Sequence, residues 1–265
     1  MSLLQTDKML ARKDKHTGWI IFNNPARHNA VSLEMWEGLA TIANDFAADP
    51  EIRVVIVRGA GEKAFVSGAD ISEFADQRDS AQATLHYDAI AAKGTQALKS
   101  LNKPTIAMIQ GYCIGGGVAV ALNCDIRIAA DYSTFAVPAA KLGLGYEFDG
   151  VRKLVDIVGP SFAQEIFFTA RQFSAQEALT MGLINRMVSA EELLSYVQNY
   201  AEMIAANAPM TVASIKTIVG EVVKNESVRN LARCDHIVAA CFNSEDFKEG
   251  RTAFMAKRKP VFQGR

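Results

Sequence analysis

Apolar residues recur along the chain in two rhythms. Trp19-Ile20-Ile21-Phe22, Val54-Val55-Ile56-Val57, 105–109 and 126–129 read as strands, the unbroken run 54–57 being the kind covered on both faces, and 134–137 reads as a shorter one. Between them the spacing changes to that of a helix. Leu39, Ile42 and Phe46 fall on one side of a helix predicted over 33–46, with Ser32 as its N-cap and Asp49-Pro50 as its end. A long helix is predicted over 81–101, behind the polar run Asp76-Gln77-Arg78-Asp79-Ser80, which reads as a mobile connector. Strands alternating with helices require crossover connections, so the fold class is α/β.

Beyond Asp149 helical spacing dominates, over 150–158, 161–169, 175–181, 191–207, 211–223, 227–241 and 245–257, and only 184–188 looks like a strand. The change of character near Asn207-Ala208-Pro209 divides the chain into an α/β core, 1–207, and a C-terminal helical region, 208–265. Apolar positions such as Leu231, Ile237 and Val238 in that region need a further surface to bury them.

Two segments carry candidate chemistry. Gly111-Tyr112-Cys113-Ile114-Gly115-Gly116-Gly117-Val118-Ala119 places a glycine triplet between an apolar strand and an alanine-rich helical pattern. Such a turn lets a ligand oxygen approach the backbone with no Cβ in the way, and free N–H groups there can stabilise developing negative charge. A plain packing turn would have the same composition. Lys63-Ala64-Phe65-Val66-Ser67-Gly68-Ala69-Asp70-Ile71 is the second segment, again with small residues at a turn, followed by the helical-looking Ser72-Glu73-Phe74.

Together these segments resemble the crotonase (enoyl-CoA hydratase/isomerase) superfamily. The likeness continues in order through Asn23-Asn24-Pro25-Ala26-Arg27-His28-Asn29-Ala30-Val31-Ser32, Cys124-Asp125-Ile126-Arg127-Ile128-Ala129, Thr180-Met181-Gly182-Leu183-Ile184-Asn185 and Glu249-Gly250-Arg251-Thr252-Ala253-Phe254. The resemblance implies a ββα spiral core with a C-terminal helical trimerisation region, assembled as a homotrimer or a dimer of trimers. It implies an acyl-CoA thioester as substrate, with coenzyme A arriving as part of it and no permanently bound cofactor. By motif, the backbone N–H groups of Ala69 and Gly116 would form an oxyanion hole, each worth about 3 kcal/mol in the transition state. Arg27, Asn29, Ala30, Gly68, Asp70, Ile71 and Lys257 would contact the coenzyme A portion, with Arg27 and Lys257 suited to its phosphates.

The chain departs from that pattern at its acid–base positions. The resembled hydratases carry one glutamate three residues past the middle glycine and another directly after the proline of a Phe-x-x-Pro segment. Here those positions are Ala119 and Ala139. A methyl group neither takes nor gives a proton, and loss of a general acid or base costs about 10²–10⁴-fold. Ordinary paired-glutamate hydration and single-base isomerisation are therefore disfavoured. Glu147, in Tyr146-Glu147-Phe148-Asp149, falls where hydrolases and dehalogenases of the superfamily carry a functional aspartate, and it becomes the candidate acid, base or nucleophile. Glu147 and Asp149 would equally serve to cap the helix that follows. His86 and Tyr87 are weaker candidates, and Tyr146 could orient Glu147. Three activities stay open: a hydratase/isomerase-type lyase running on Glu147, an acyl-CoA hydrolase or C–C bond-forming or -cleaving enzyme, and a silent acyl-CoA binder.

Composition narrows the alternatives. Among 265 residues, 28 Lys plus Arg balance 29 Asp plus Glu, for a formal net charge of -1, so no basic field favours nucleic acid or an anionic membrane. The 4 cysteines lack metal-ligand spacing and read as free thiols of a reducing compartment. His16, His28 and His236 form no zinc motif. Met1-Ser2-Leu3-Leu4-Gln5 lacks the pattern of a signal peptide and no long apolar span is present, so a cytoplasmic protein is expected, and the resemblance implies a place in fatty-acid metabolism.

Overall fold

A computed structural model describes residues 4–70 and 80–265. Its six-stranded sheet holds β1 (Met9–Asp14), β2 (Thr17–Phe22), β3 (Val54–Gly59), β5 (Thr105–Ile109), β7 (Ile126–Ala130) and β10 (Arg186–Val188), in the order β1-β2-β3-β5-β7-β10. All neighbours are parallel except β1, which folds back on β2. A smaller sheet contains β4 (Ala64–Val66), β6 (Tyr112–Ile114), β8 (Thr134–Ala136) and β9 (Phe173–Ser174), with only β9 antiparallel.

The chain alternates between the sheets. β3 then β4, β5 then β6, and β7 then β8 each lay one strand in each sheet before a helix intervenes. The helices are α1 (Leu33–Ala48), α2 (Ala81–Lys99), α3 (Gly116–Leu122), α4 (Phe148–Thr169), α5 (Ala175–Thr180), α6 (Leu193–Ala205), α7 (Pro209–Val222), α8 (Leu231–Phe242) and α9 (Glu245–Met255). This is the ββα spiral expected from the motifs.

The apolar runs are continuous because both faces of the large sheet are covered. Trp19, Val54, Ile56, Ile106, Met108 and Ile128 face α6, which meets them with Leu193, Val197, Ala201 and Ala205, one per turn. The alternate residues Ile20, Phe22, Val55, Val57, Ala107 and Ile109 face the main core, joined by Met35, Trp36, Leu39, Ile42 and Phe46 of α1. Ser32 caps α1 as anticipated, its side chain accepting from Met35 N.

Several boundaries differ from the sequence expectations. β1, β4, β6 and β9 were not anticipated, being an edge strand whose second half is charged or strands only two or three residues long. The two helices predicted over 150–158 and 161–169 are both present as the two arms of α4, separated where Gly159 takes the non-helical φ 77 and ψ 166 ahead of Pro160. The helix predicted over 227–241 is broken. A 3-10 turn spans Glu226–Val228, and α8 starts only after Asn230, which accepts from Arg233 N. The expected helical residues 72–74 and the connector residues 76–79 lie outside the described residues, while Ser80 caps α2 by accepting from Ala83 N.

Gly111 links β5 to β6 at φ 62, and a Cβ there would stand 2.0 Å from Lys63 O. Gly111→Ala should therefore lower stability by about 2 kcal/mol or more, read as a fall in the thermal unfolding midpoint.

Candidate active site

Parallel pairing sets up the site. β4 and β6 are neighbours with Ala64 opposite Tyr112 and Val66 opposite Cys113, so the chain leaves both strands at the same end. After β4 it turns through Gly68 at φ 114, and after β6 through Gly115 at φ 51, ψ −108. Both backbone states are ones that L residues avoid.

The first turn is pinned on either side of Ala69. Val31 N donates to Gly68 O at 2.8 Å, and Asp70 N donates to Val31 O at 2.9 Å. The intervening Ala69 N–H has no acceptor among the described residues. In the second turn Gly115 N donates to Ala136 O at 2.8 Å and Gly115 O accepts from Ala119 N, while the Gly116 N–H is likewise unengaged among the described residues. The two unengaged donors flank one small space. The point that a Cβ on Gly116 would occupy is 3.6 Å from Ala69 N and 3.5 Å from Trp36 Cζ2. Each glycine of the triplet thus has its own reason: Gly115 for its φ, Gly116 bordering that space, and Gly117 for packing, where a Cβ would fall 2.1 Å from Val66 O.

The comparisons with known proteins agree with this architecture. The enoyl-CoA hydratase/isomerase family pattern matches residues 13–265. A short-chain-enoyl-CoA hydratase of Clostridium acetobutylicum is 32% identical over 259 residues, covering 97% of each chain. A carnitinyl-CoA dehydratase of Proteus mirabilis is 36% identical over 251 residues, covering 93% of this chain and 94% of its own. The crystal structure of an enoyl-CoA hydratase/carnithine racemase from Magnetospirillum magneticum superposes with a TM-score of 0.92 at 34% identity, over 98% of this chain and 97% of that one. This chain belongs to the enoyl-CoA hydratase/isomerase family.

Within this family member the residues expected to touch coenzyme A divide into different groups. Arg27 Nη1 lies 3.0 and 3.2 Å from the two carboxylate oxygens of Asp70. Asp70 is buried and Arg27 exposed, so the pair fastens the Ala69 turn to the loop before α1. The side chain of Asn29, expected among the coenzyme A contacts, is engaged within the protein. Asn29 is fully buried, its Oδ1 accepts from Asn24 N, and its Nδ2 donates to Ala60 O and Ala64 O. It adopts φ 56 and holds the loop from inside. Ala30 O accepts from Asn24 Nδ2 at 3.2 Å, and Gly68 acts through its carbonyl bond to Val31. Ile71 lies outside the described residues. Lys257 stands just past α9 at φ 51, and its side chain makes no hydrogen bond or ion pair among the described residues.

The acid–base positions are as bare as the sequence indicated. Ala119 is half-buried and its carbonyl accepts from Asn123 Nδ2, whose Oδ1 accepts in turn from Lys153 Nζ. Ala139 is buried in a 3-10 turn, Pro138–Leu142. Glu147 stands at the N-cap of α4, exposed, with no side-chain capping bond, so its carboxylate is not spent on the helix. Asp149 occupies the first turn of α4. Tyr146 packs edge-on against Phe167 with ring centroids 4.9 Å apart and makes no hydrogen bond to Glu147. His86 is exposed, whereas Tyr87 is buried and accepts from Trp36 Nε1 at 3.0 Å. Sequence reading missed Trp36. The available signal was its position three residues before Leu39 on the buried stripe of α1.

Cys113 on β6 and Cys124 after α3 are buried, and burial pushes both thiols up, Cys124 to about 12. Cys234 and Cys241 are partly exposed. A thiol-specific chromogenic reagent near neutral pH should titrate at most two cysteines in the native chain and all four in denaturant.

Proposed function

We propose that this chain is an enzyme acting on an acyl-CoA thioester, with the Ala69 and Gly116 N–H groups stabilising the oxygen that gains charge as the enolate forms. The observation that carries this reading is the pair of unengaged amides flanking one space at the ends of β4 and β6. The relatives' names, hydratase and dehydratase, point to addition or removal of water next to the thioester. Coenzyme A would arrive as part of the substrate. With alanine at 119 and 139, hydration by two glutamates has no proton carriers, and Glu147 is the carboxylate best available to replace them. The same pair of alanines suits an acyl-CoA hydrolase or a C–C bond-forming or -cleaving enzyme, where the amide pair dominates and the proton is handled elsewhere.

The helical region supports assembly. Val219, Val222, Leu231, Phe242, Phe254 and Met255 are exposed on α7, α8 and α9, with Phe254 and Met255 above four-fifths exposed. Exposed apolar side chains of this size are suited to burial against further copies, in a trimer or a dimer of trimers.

Gly116→Ala separates chemistry from folding. Its Cβ would meet only ordinary van der Waals contacts and its φ is not left-handed, so the unfolding midpoint should hold. The methyl would sit between Ala69 N and Trp36, and kcat/KM should fall by about 10²-fold or more. Glu147→Gln tests the proton carrier. Wild-type hydration of crotonyl-CoA should be slow, and the variant should lose a further 10²–10⁴-fold or so in kcat for whichever acyl-CoA reaction is detected. Fast hydration, or an unaltered variant, would refute the role of Glu147. Binding of esters with turnover of none would identify a silent binder.

A further inference from the structure

Trp36 is locked against the amide pair from three directions. Its Cζ2 edge borders the space between Gly116 and Ala69 N. Its Nε1 donates to Tyr87 Oη at 3.0 Å. Its backbone and the opposite ring edge lie against Gly94, where a Cβ would stand 2.7 Å from Trp36 O and 3.4 Å from Cε3. Tyr87 and Gly94 are seven residues apart on α2 and so share one helix face. Trp36 and Tyr87 are each 3% exposed. The indole is therefore a fixed wall. It cannot retreat toward α2 without meeting the backbone approach that Gly94 permits, and swinging aside takes the buried Nε1 away from the hydroxyl it donates to.

We infer that Trp36 sets the acyl-length specificity of this site, closing it beside Gly116 so that short acyl groups fit and long ones do not. The inference rests on the proposed reading of Ala69 and Gly116 as the thioester-oxygen donors. If the oxygen lies between those amides, the carbons attached to the same carbonyl extend from a point bordered by the indole edge. In an open apolar channel each further buried methylene would raise affinity roughly 4-fold. Against a wall that gain is absent, because the added carbons have no space to enter.

The test is calorimetric binding of butyryl-CoA and decanoyl-CoA to the whole protein, beside the kcat/KM of the matching enoyl esters where turnover is found. Wild type should bind decanoyl-CoA no more tightly than butyryl-CoA. Trp36→Leu should shift the decanoyl-to-butyryl affinity ratio at least 10-fold or so toward the long chain. Trp36→Phe, which keeps most of the wall and removes the Nε1 donor, should leave the ratio near that of wild type. A wild type that prefers decanoyl-CoA overturns the inference without any variant, which covers the case of Trp36→Leu failing to fold. An unchanged ratio in a folded Trp36→Leu overturns it too, while leaving the donor assignment intact. A wild type that binds neither ester overturns the donor assignment and this inference with it.

Discussion

The parallel pairing of β4 with β6 is the constraint on which the site depends. Each strand has only three residues, yet their registration brings two turns from distant parts of the sequence to one edge. The pairing could not be held by so few hydrogen bonds alone. It is held because each short strand is the second step of a β-β pair whose first member lies in the large sheet. β3 and β5 are adjacent there, with Val55 opposite Thr105 and Ile56 opposite Ile106. The buried apolar runs thus fix the register of the short strands, and through them the separation of the two unengaged amides.

Buried polar groups around this edge serve the backbone. Asn29 joins three main-chain groups, the Arg27–Asp70 pair ties one turn to the loop before α1, and Arg127 joins the end of α3 to the segment before β10. Arg127 Nε donates to Leu183 O at 2.7 Å and Nη1 to Cys124 O at 2.8 Å, so carbonyl dipoles take the place of a carboxylate partner. Burial pulls its pKa below the ordinary value, and the carbonyls offset the desolvation. Among the described residues no group of three His, Cys, Asp or Glu is placed to hold a metal ion.

What the sequence made legible follows from this division. The central strands of the large sheet could be read because burial on both faces leaves a continuous apolar run. The two turns could be read because small residues cluster there, with Gly68 and Gly115 at positive φ and Gly117 where a Cβ would meet Val66 O. β4, β6 and β9 could not, since strands of two or three residues have no period of their own and exist only through a neighbour. The inward-facing bonds of Asn29 could not be read, because a motif position does not reveal which way a side chain points. Trp36 was missed for a related reason: its partners, Tyr87, Gly94 and Gly116, come from two other segments and meet only in the fold.

The two unengaged donors belong to peptide bonds, and every residue except proline supplies the same N–H. Ordinary substitution can crowd such a group but cannot remove it. The side chains at 119, 139 and 147 have no such protection, and two of them are methyl groups in a fold that holds both turns. A change of side chain at 119, 139 or 147 therefore alters what those positions can do chemically while leaving the two turns and their backbone N–H groups where the paired strands hold them.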